Sequence, residues 1–132
     1  MVKLDNKLVN FSAANKRLHE AITTYKRDTG NSLYRDGLIQ RFEFTFELAW
    51  KTLAEFLTLQ GIDLPTTPKA VFKAAYASGY IQNEQIWVNI LEDRNLMSHT
   101  YDMDLSVRIA DDICLRYGKA MTDLLKTIKS YE

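Results

Sequence analysis

The chain has 132 residues, 46% hydrophobic and 26% charged, enough for one globular domain with a real core and too few for two comfortable ones. Its 17 basic and 17 acidic side chains cancel, so the overall positive field of a general nucleic-acid binder is excluded and any RNA contact must use a local patch. A single cysteine excludes an internal disulfide, two prolines and five glycines argue against a turn-dense β fold, and no apolar run approaches the ~20 residues of a membrane span.

Leu4, Leu8, Phe11, Asn15, Leu18, Ile22 and Tyr25 recur at spacings of three and four, which predicts a long first helix. It should end at the turn-forming Asp28-Thr29-Gly30-Asn31. Asn15 is the polar member of that stripe and a candidate for fixing register. His19 lies off the stripe and is expected in solvent. A second helix is predicted from about Tyr34 to Gln60, closed by Gly61. Leu38, Phe42, Phe46, Ala49, Trp50, Leu53 and Leu57 make its main apolar face, and Phe44, Leu48 and Phe56 widen it. A helix apolar on more than one side sits centrally or meets a second subunit, so a homodimer is expected. Its aromatic residues read as core or dimer interface rather than as a base-stacking platform. Glu47 and Lys51 stand four apart in the order that favours a surface ion pair.

Leu64-Pro65-Thr66-Thr67-Pro68 reads as a connector leading into a short helix, with Thr67 as its N-cap and Pro68 at its first position. Val71, Ala74 and Ala75 form its small apolar face, and Gly79 ends it. A further helix starts near Asn83 and carries Ile86, Trp87, Ile90, Leu91 and Arg94, with Trp87 as a core residue. Asp104 is the expected N-cap of a last long helix, whose stripe is Leu105, Ile109, Ile113, Tyr117, Ala120, Leu124 and Ile128. Cys114 is expected as a small core residue. Gly118 costs that helix ~1 kcal/mol relative to alanine unless another helix approaches closely there. The whole predicts a single all-α domain over residues 1–132, an antiparallel up-and-down bundle of four main helices plus a short connecting helix. Met1-Val2-Lys3-Leu4-Asp5-Asn6 does not resemble a signal peptide, so a cytoplasmic location is expected.

The five glycines are scattered, and neither Cys-x-x-Cys nor His-Glu-x-x-His occurs, so neither a cofactor nor a metal site is expected. Chemistry concentrates instead in Leu91-Glu92-Asp93-Arg94-Asn95-Leu96-Met97-Ser98-His99-Thr100-Tyr101. Histidine moves protons near neutral pH, and arginine grips a phosphate and stabilises charge growing on it. These groups suit metal-free phosphodiester cleavage, with an RNA 2′-hydroxyl as nucleophile. Arg94 and His99 are about 140° apart on an ideal helix, so they share a face only if the helix unwinds near Ser98 or a second chain completes a cleft. The other reading pairs Arg94 with Asp93 or another carboxylate and lets His99 cap the helix C-terminus.

Arg94, four residues, His99, one residue and Tyr101 resemble the R-x4-H-x-Y signature of the HEPN family (higher eukaryotes and prokaryotes nucleotide-binding), with Asn95 as the polar residue after the arginine. Arg41-Phe42-Glu43-Phe44-Thr45-Phe46-Glu47-Leu48-Ala49-Trp50-Lys51-Thr52-Leu53 is similar to the second-helix signature of its nucleotidyltransferase substrate-binding subfamily. Pro68 to Ile81 and Trp87 to Tyr101 follow the same subfamily in order. The resemblance implies a homodimeric helical bundle and a minimal nucleotidyltransferase encoded nearby as partner, the two forming a toxin–antitoxin-like pair. The chain is then the substrate-binding subunit of that transferase or, alternatively, a metal-independent endoribonuclease toxin. RNA or a nucleotide is the implied ligand, with neither DNA nor membrane engaged. Arg94 and His99 would be catalytic, Asn95 supporting, and Tyr101 the site where nucleotidylation silences the toxin. The chain is not itself the transferase: Asp111-Asp112 is adjacent on a helix, diverging by about 100°, and is read as solvated.

Overall fold

A computed structural model describes residues 2–63, 66–99 and 102–132. The described residues form helices joined by turns: α1 Val2–Arg27, α2 Ser32–Leu59, α3 Pro68–Ala77, α4 Glu84–Leu96, α5 Met103–Asp112 and α6 Gly118–Lys129. A 3-10 turn, Met97–His99, follows α4, and a π-helical segment, Ile113–Tyr117, welds α5 to α6 in one rod. The fold is all-α. Among the described residues no helix is long and apolar enough to cross a membrane.

Local chemistry explains most of the boundaries. The Asn31 side chain caps α2 by accepting the Tyr34 N–H at 3.1 Å, so α2 starts slightly before the expected Tyr34. Gly61 and Gly79, with φ of +84° and +82°, supply the left-handed residue that turns the chain after α2 and after α3. Thr67 caps α3 and Pro68 opens it, as expected; Leu64 and Pro65 of the connector lie outside the described residues. The cap of α5 is Asp102, which accepts the Leu105 N–H at 3.2 Å, and not Asp104, which falls in the first turn. Both aspartates fit the residue preference; what selects Asp102 is the 3-10 turn, whose last carbonyl, His99 O, accepts the Asp102 N–H at 3.0 Å.

α1 and α2 pack antiparallel: the Thr45 hydroxyl lies 3.3 Å from Ala14 O, and Arg41 donates to Arg17 O at 2.8 Å. The α5–α6 rod runs with α2, since Arg35 meets Met103, Phe42 stacks on Tyr117 and Phe56 meets Tyr131. α4 descends against the rod, so α1, α2, α4 and the rod alternate in direction, with α3 as the short connection. The expected stripe of α1 is buried throughout, Asn15 included. α3 docks through Phe72 as well as the expected Val71 and Ala75: the Phe72 ring stacks on Trp87 at 4.6 Å and lies 6.0 Å from Phe46. Trp87 is core, as expected, whereas Trp50 and Cys114 are only half-buried and Phe44 is exposed.

His19 is not in solvent. Its Nε2 lies 3.1 Å from Gly118 O and 2.9 Å from the Thr122 hydroxyl, and Thr122 also accepts from Asn15 Nδ2 at 3.2 Å. A carbonyl oxygen only accepts, so this contact is attractive with the proton on Nε2. The cluster pins α1 to α6 and gives Asn15 its register role. It also accounts for Gly118: a Cβ there would stand 2.8 Å from Ile22 Cδ1 and 3.3 Å from the His19 ring. Gly118→Ala should therefore lower stability by about 1–2 kcal/mol through overpacking, despite alanine's better helix propensity. Thermal melts should show a fall of several degrees in Tm; an unchanged or higher Tm would mean that Ile22 and His19 yield freely.

Candidate functional site

α4 begins at the Asn83 cap and turns Trp87, Ile90 and Asp93 inward. Asp93 is a carboxylate in the core, 5% exposed, and such a charge is tolerated only when fully engaged. Arg108 of α5 grips it with two bonds, of 2.8 Å to Oδ1 and 3.1 Å to Oδ2, and the Tyr117 hydroxyl donates to Oδ2 at 2.5 Å. Arg108 extends to Asp112 at 3.0 Å, and Asp112 accepts from Arg116 at 3.2 Å. Asp112 is thus half-buried in an ion-pair ladder, which corrects the expectation that Asp111 and Asp112 are both simply solvated. The hydrogen bond to Asp93 is the main reason the Arg108 guanidinium holds its proton beyond the usual arginine value. Burial, then the bond to Asp93, push the Tyr117 phenol well above the ordinary tyrosine range.

The π segment delivers Tyr117 to this carboxylate. Its bond runs from the Gly118 N–H to Ile113 O, five residues back rather than four. The wider turn holds an extra residue and keeps both Ile113 and Tyr117 buried.

Arg94 follows Asp93 by one residue, about 100° round the helix, and so faces α2 rather than the rod. Its Nη2 donates to Glu47 Oε1, its Cζ lies 5.9 Å from the Phe46 ring centre, and Nη1 approaches Asn95 Oδ1 at 3.5 Å. Of the pairings considered from sequence, the structure makes the one with another carboxylate and not with Asp93. The other Glu47 oxygen, Oε2, accepts from Trp50 Nε1 at 3.2 Å and lies 3.9 Å from Lys51 Nζ. Arg94 and Glu47 keep 35% and 31% of their side-chain surface exposed, so a ligand can reach both. Asn95 is exposed and also lines a groove of about 380 Å³ between α3 and α4, with Lys69, Lys73, Trp87 and Leu91.

The α-helical pitch stops at Leu96, and one 3-10 turn carries the chain to His99, which is exposed. The change of pitch falls where the sequence geometry asked for unwinding. Arg94 and Asn95 are brought together, His99 stands one 3-10 turn beyond them, and Tyr101 lies outside the described residues. The sequence pattern pairs Glu47 only with Lys51. Its place among the Phe46, Trp50 and Lys51 positions of the α2 signature is the one local hint that it belongs here. Among the described residues no group of three His, Cys, Asp or Glu side chains is placed to hold a metal ion.

Residues 6–130 match the family described as nucleotidyltransferase substrate binding protein like, and the chain belongs to that family. A curated relative, the probable ribonuclease HepT of Haemophilus influenzae, is 31% identical over 77 residues, 55% of this chain and 53% of the relative. The chain thus matches about half the length of that relative. A crystal structure of a Thermus thermophilus protein superposes with a TM-score of 0.72 at 28% identity, covering 85% of this chain and 98% of the other. The tri-AMPylated HEPN toxin of Shewanella oneidensis, solved in complex with its MNT antitoxin, gives a TM-score of 0.77 at 15% identity over 96% of each chain. A mutant of the toxin–antitoxin pair MntA–HpeT gives 0.78 at 15% identity over 96% of this chain and 97% of the other. At that identity the last two establish the shared fold.

Burial of the Tyr117–Asp93 bond carries a pH signature. A phenol whose value is raised on folding contributes stability that is full below its unfolded value, about 10, and is lost as pH climbs towards the folded one. Tyr117→Phe should cost about 1.5 kcal/mol at neutral pH, as expected for a bond to a charged group. The gap between wild type and variant should be constant up to about pH 10 and shrink above it. Denaturant titrations from pH 8 to 11.5 would read this directly, and a gap independent of pH would place the phenol in water.

Proposed function

We propose that this chain is the HEPN partner of a minimal nucleotidyltransferase encoded nearby, in a two-gene toxin–antitoxin-like pair. The observation that carries the reading is the match of residues 6–130 to the family described as nucleotidyltransferase substrate binding protein like. The fold shared with a HEPN toxin held by its MNT antitoxin supports it. On this reading the α4–α5 connection is offered to the transferase. Asn95, Leu96, Ser98 and His99 on one side of it and Asp102 and Met103 on the other are exposed. Tyr101 lies in that connection and is the acceptor: its phenol oxygen attacks the α-phosphorus of a nucleoside triphosphate, the phenol proton leaves to base, and pyrophosphate departs. Co-expression with the neighbouring transferase should give a complex stable to size-exclusion chromatography. Intact mass should rise in whole nucleotidyl increments, and Tyr101→Phe should remove the increment at that position. Separate elution, with no mass change in the presence of ATP and Mg²⁺, would sink the reading.

The second reading, a metal-independent endoribonuclease, is favoured by the half-exposed Arg94 guanidinium and the exposed His99 on one short stretch. The relative named probable ribonuclease HepT supports it. The two readings are compatible, because a ribonuclease can be docked and silenced by its transferase. Purified, unmodified protein should cleave single-stranded RNA in EDTA, leave cyclic phosphate ends and spare DNA. His99→Ala should reduce the rate by about 10²–10⁴-fold, the usual loss for a missing proton-transfer group.

A further inference from the structure

Equal numbers of acidic and basic side chains leave any RNA contact to a local patch, and the outer side of the α1–α2 pair holds one. Ala14 and Arg17 of α1 and Gly37, Gln40, Arg41 and Phe44 of α2 line a groove of about 380 Å³. Its lining carries two cations and no anion. Phe44 is 62% exposed, whereas Phe42, Phe46 and Phe56 of the same helix are buried. A ring left in water adds little to the fold, but its open face can stack a base.

The two arginines are available to a polyanion. Arg41 is oriented by its bond from Nη1 to Arg17 O, at 2.8 Å. The carboxylate within ion-pair reach of it is Glu20, at 3.9 Å and 60% exposed, so that pairing is weak. Arg17 is exposed, and its guanidinium has no partner among the described residues. Gly37 lies two turns before Phe44 on the same face of α2. A glycine inside a helix weakens it, and packing does not call for this one, because nothing lies within 4 Å of where its Cβ would be. The bare backbone keeps open a space that a side chain would fill.

We propose that this groove is a binding site for single-stranded RNA, in which one base stacks on Phe44 while Arg17 and Arg41 hold the flanking phosphates. The inference concerns binding alone and goes beyond both readings above. A volume of about 380 Å³ is at the lower end of the range for small-ligand sites, roughly 300–1,000 Å³, which suits one nucleotide rather than a folded partner. A duplex does not fit, because its bases are stacked on one another and offer no free face. A second copy of the chain fits poorly: in a two-fold contact centred on Phe44 the same arginines would face each other. Phe44 precedes Glu47, the residue that Arg94 meets, by three positions, about 60° round the helix and less than one turn along it. One strand can therefore lie over both.

The test is binding of a short fluorescein-labelled 2′-O-methyl oligouridine to the full-length protein, read by anisotropy as salt is varied. That RNA lacks the free 2′-hydroxyl needed for cleavage, so binding is measured whether or not the protein is a ribonuclease. Phe44→Ala should weaken binding by about tenfold or more, the usual loss for one stacked base. Replacing Arg17 and Arg41 together by alanine should flatten the slope of log K against log salt by about 1.4, at about 0.7 for each phosphate contact on a single strand. Gly37→Leu removes no contact and favours the helix, so Tm should hold or rise while binding weakens because the groove is filled. Leu115→Ala, at an exposed position of the π segment, should bind as wild type does. Folded Phe44→Ala and Gly37→Leu variants that bind as tightly as wild type would overturn the proposal and leave the ribonuclease reading in place. So would a change in the elution volume of Phe44→Ala on size exclusion, which would make this face a contact between copies. Absence of binding by wild type at low salt would also overturn it, while cleavage of ordinary RNA decides the ribonuclease reading separately.

Discussion

A carboxylate in an apolar interior must be neutralised or surrounded, and Asp93 is surrounded: two bonds from Arg108 and one from Tyr117 engage both of its oxygens. Removing the charged partner of such a buried ion pair typically costs several kcal/mol, because the remaining charge is stranded. Half of Arg108 remains in water, so the cost here lies at the lower end of that range. The network ties α4 to α5 and to the π segment, and it leaves the next residue, Arg94, one choice of neighbour, α2. The last turn of α4 is therefore held from two directions by consecutive residues, one anchored in the core and one at a half-exposed carboxylate. The short stretch that ends in His99 hangs from that doubly fixed turn.

Most of the fold was legible because burial follows simple periods. The α1 stripe, the α2 face, the glycines after α2 and α3 and the Thr67–Pro68 start of α3 all came from local rules. The π segment had also left a trace. Leu105, Ile109, Ile113 and Tyr117 repeat at four, four and four; over twelve residues of ideal α-helix that stripe drifts by roughly a third of a turn. A rod that buries Ile109, Ile113 and Tyr117 together must absorb the drift, and a turn with a five-residue hydrogen bond does so. The misreadings have a different origin. Asp102 and Asp104 are equivalent as caps until the preceding 3-10 turn is known. His19 looked solvated because its partners, Gly118 and Thr122, are about a hundred residues away.

The candidate site divides in the same way. Arg94, Asn95 and His99 stand out in the sequence because their chemistry is concentrated in a few consecutive positions. Glu47 and Asp93 do not stand out in the sequence, since what distinguishes each is a tertiary contact: Arg94 from α4 onto Glu47, and Arg108 and Tyr117 from the rod onto Asp93. A carboxylate on a helix looks alike in sequence whether it pairs with its i+4 neighbour or faces another helix. Only the packing of α2 against α4 separates the cases.

The π turn makes the rod unequal in its tolerance of changes in length. A turn that carries one residue more than an α-turn is, in evolutionary terms, an insertion that the helix has absorbed without disturbing the phase on either side. Loss of one residue between Ile113 and Tyr117 would return the rod to regular α-helix and leave the faces of α5 and α6 in step, so Ile109, Leu124 and Ile128 could still reach the core. What such a deletion alters is the π turn from whose last residue the Tyr117 hydroxyl reaches Asp93. The length of this one turn thus bears on the buried carboxylate network rather than on the packing of α5 and α6.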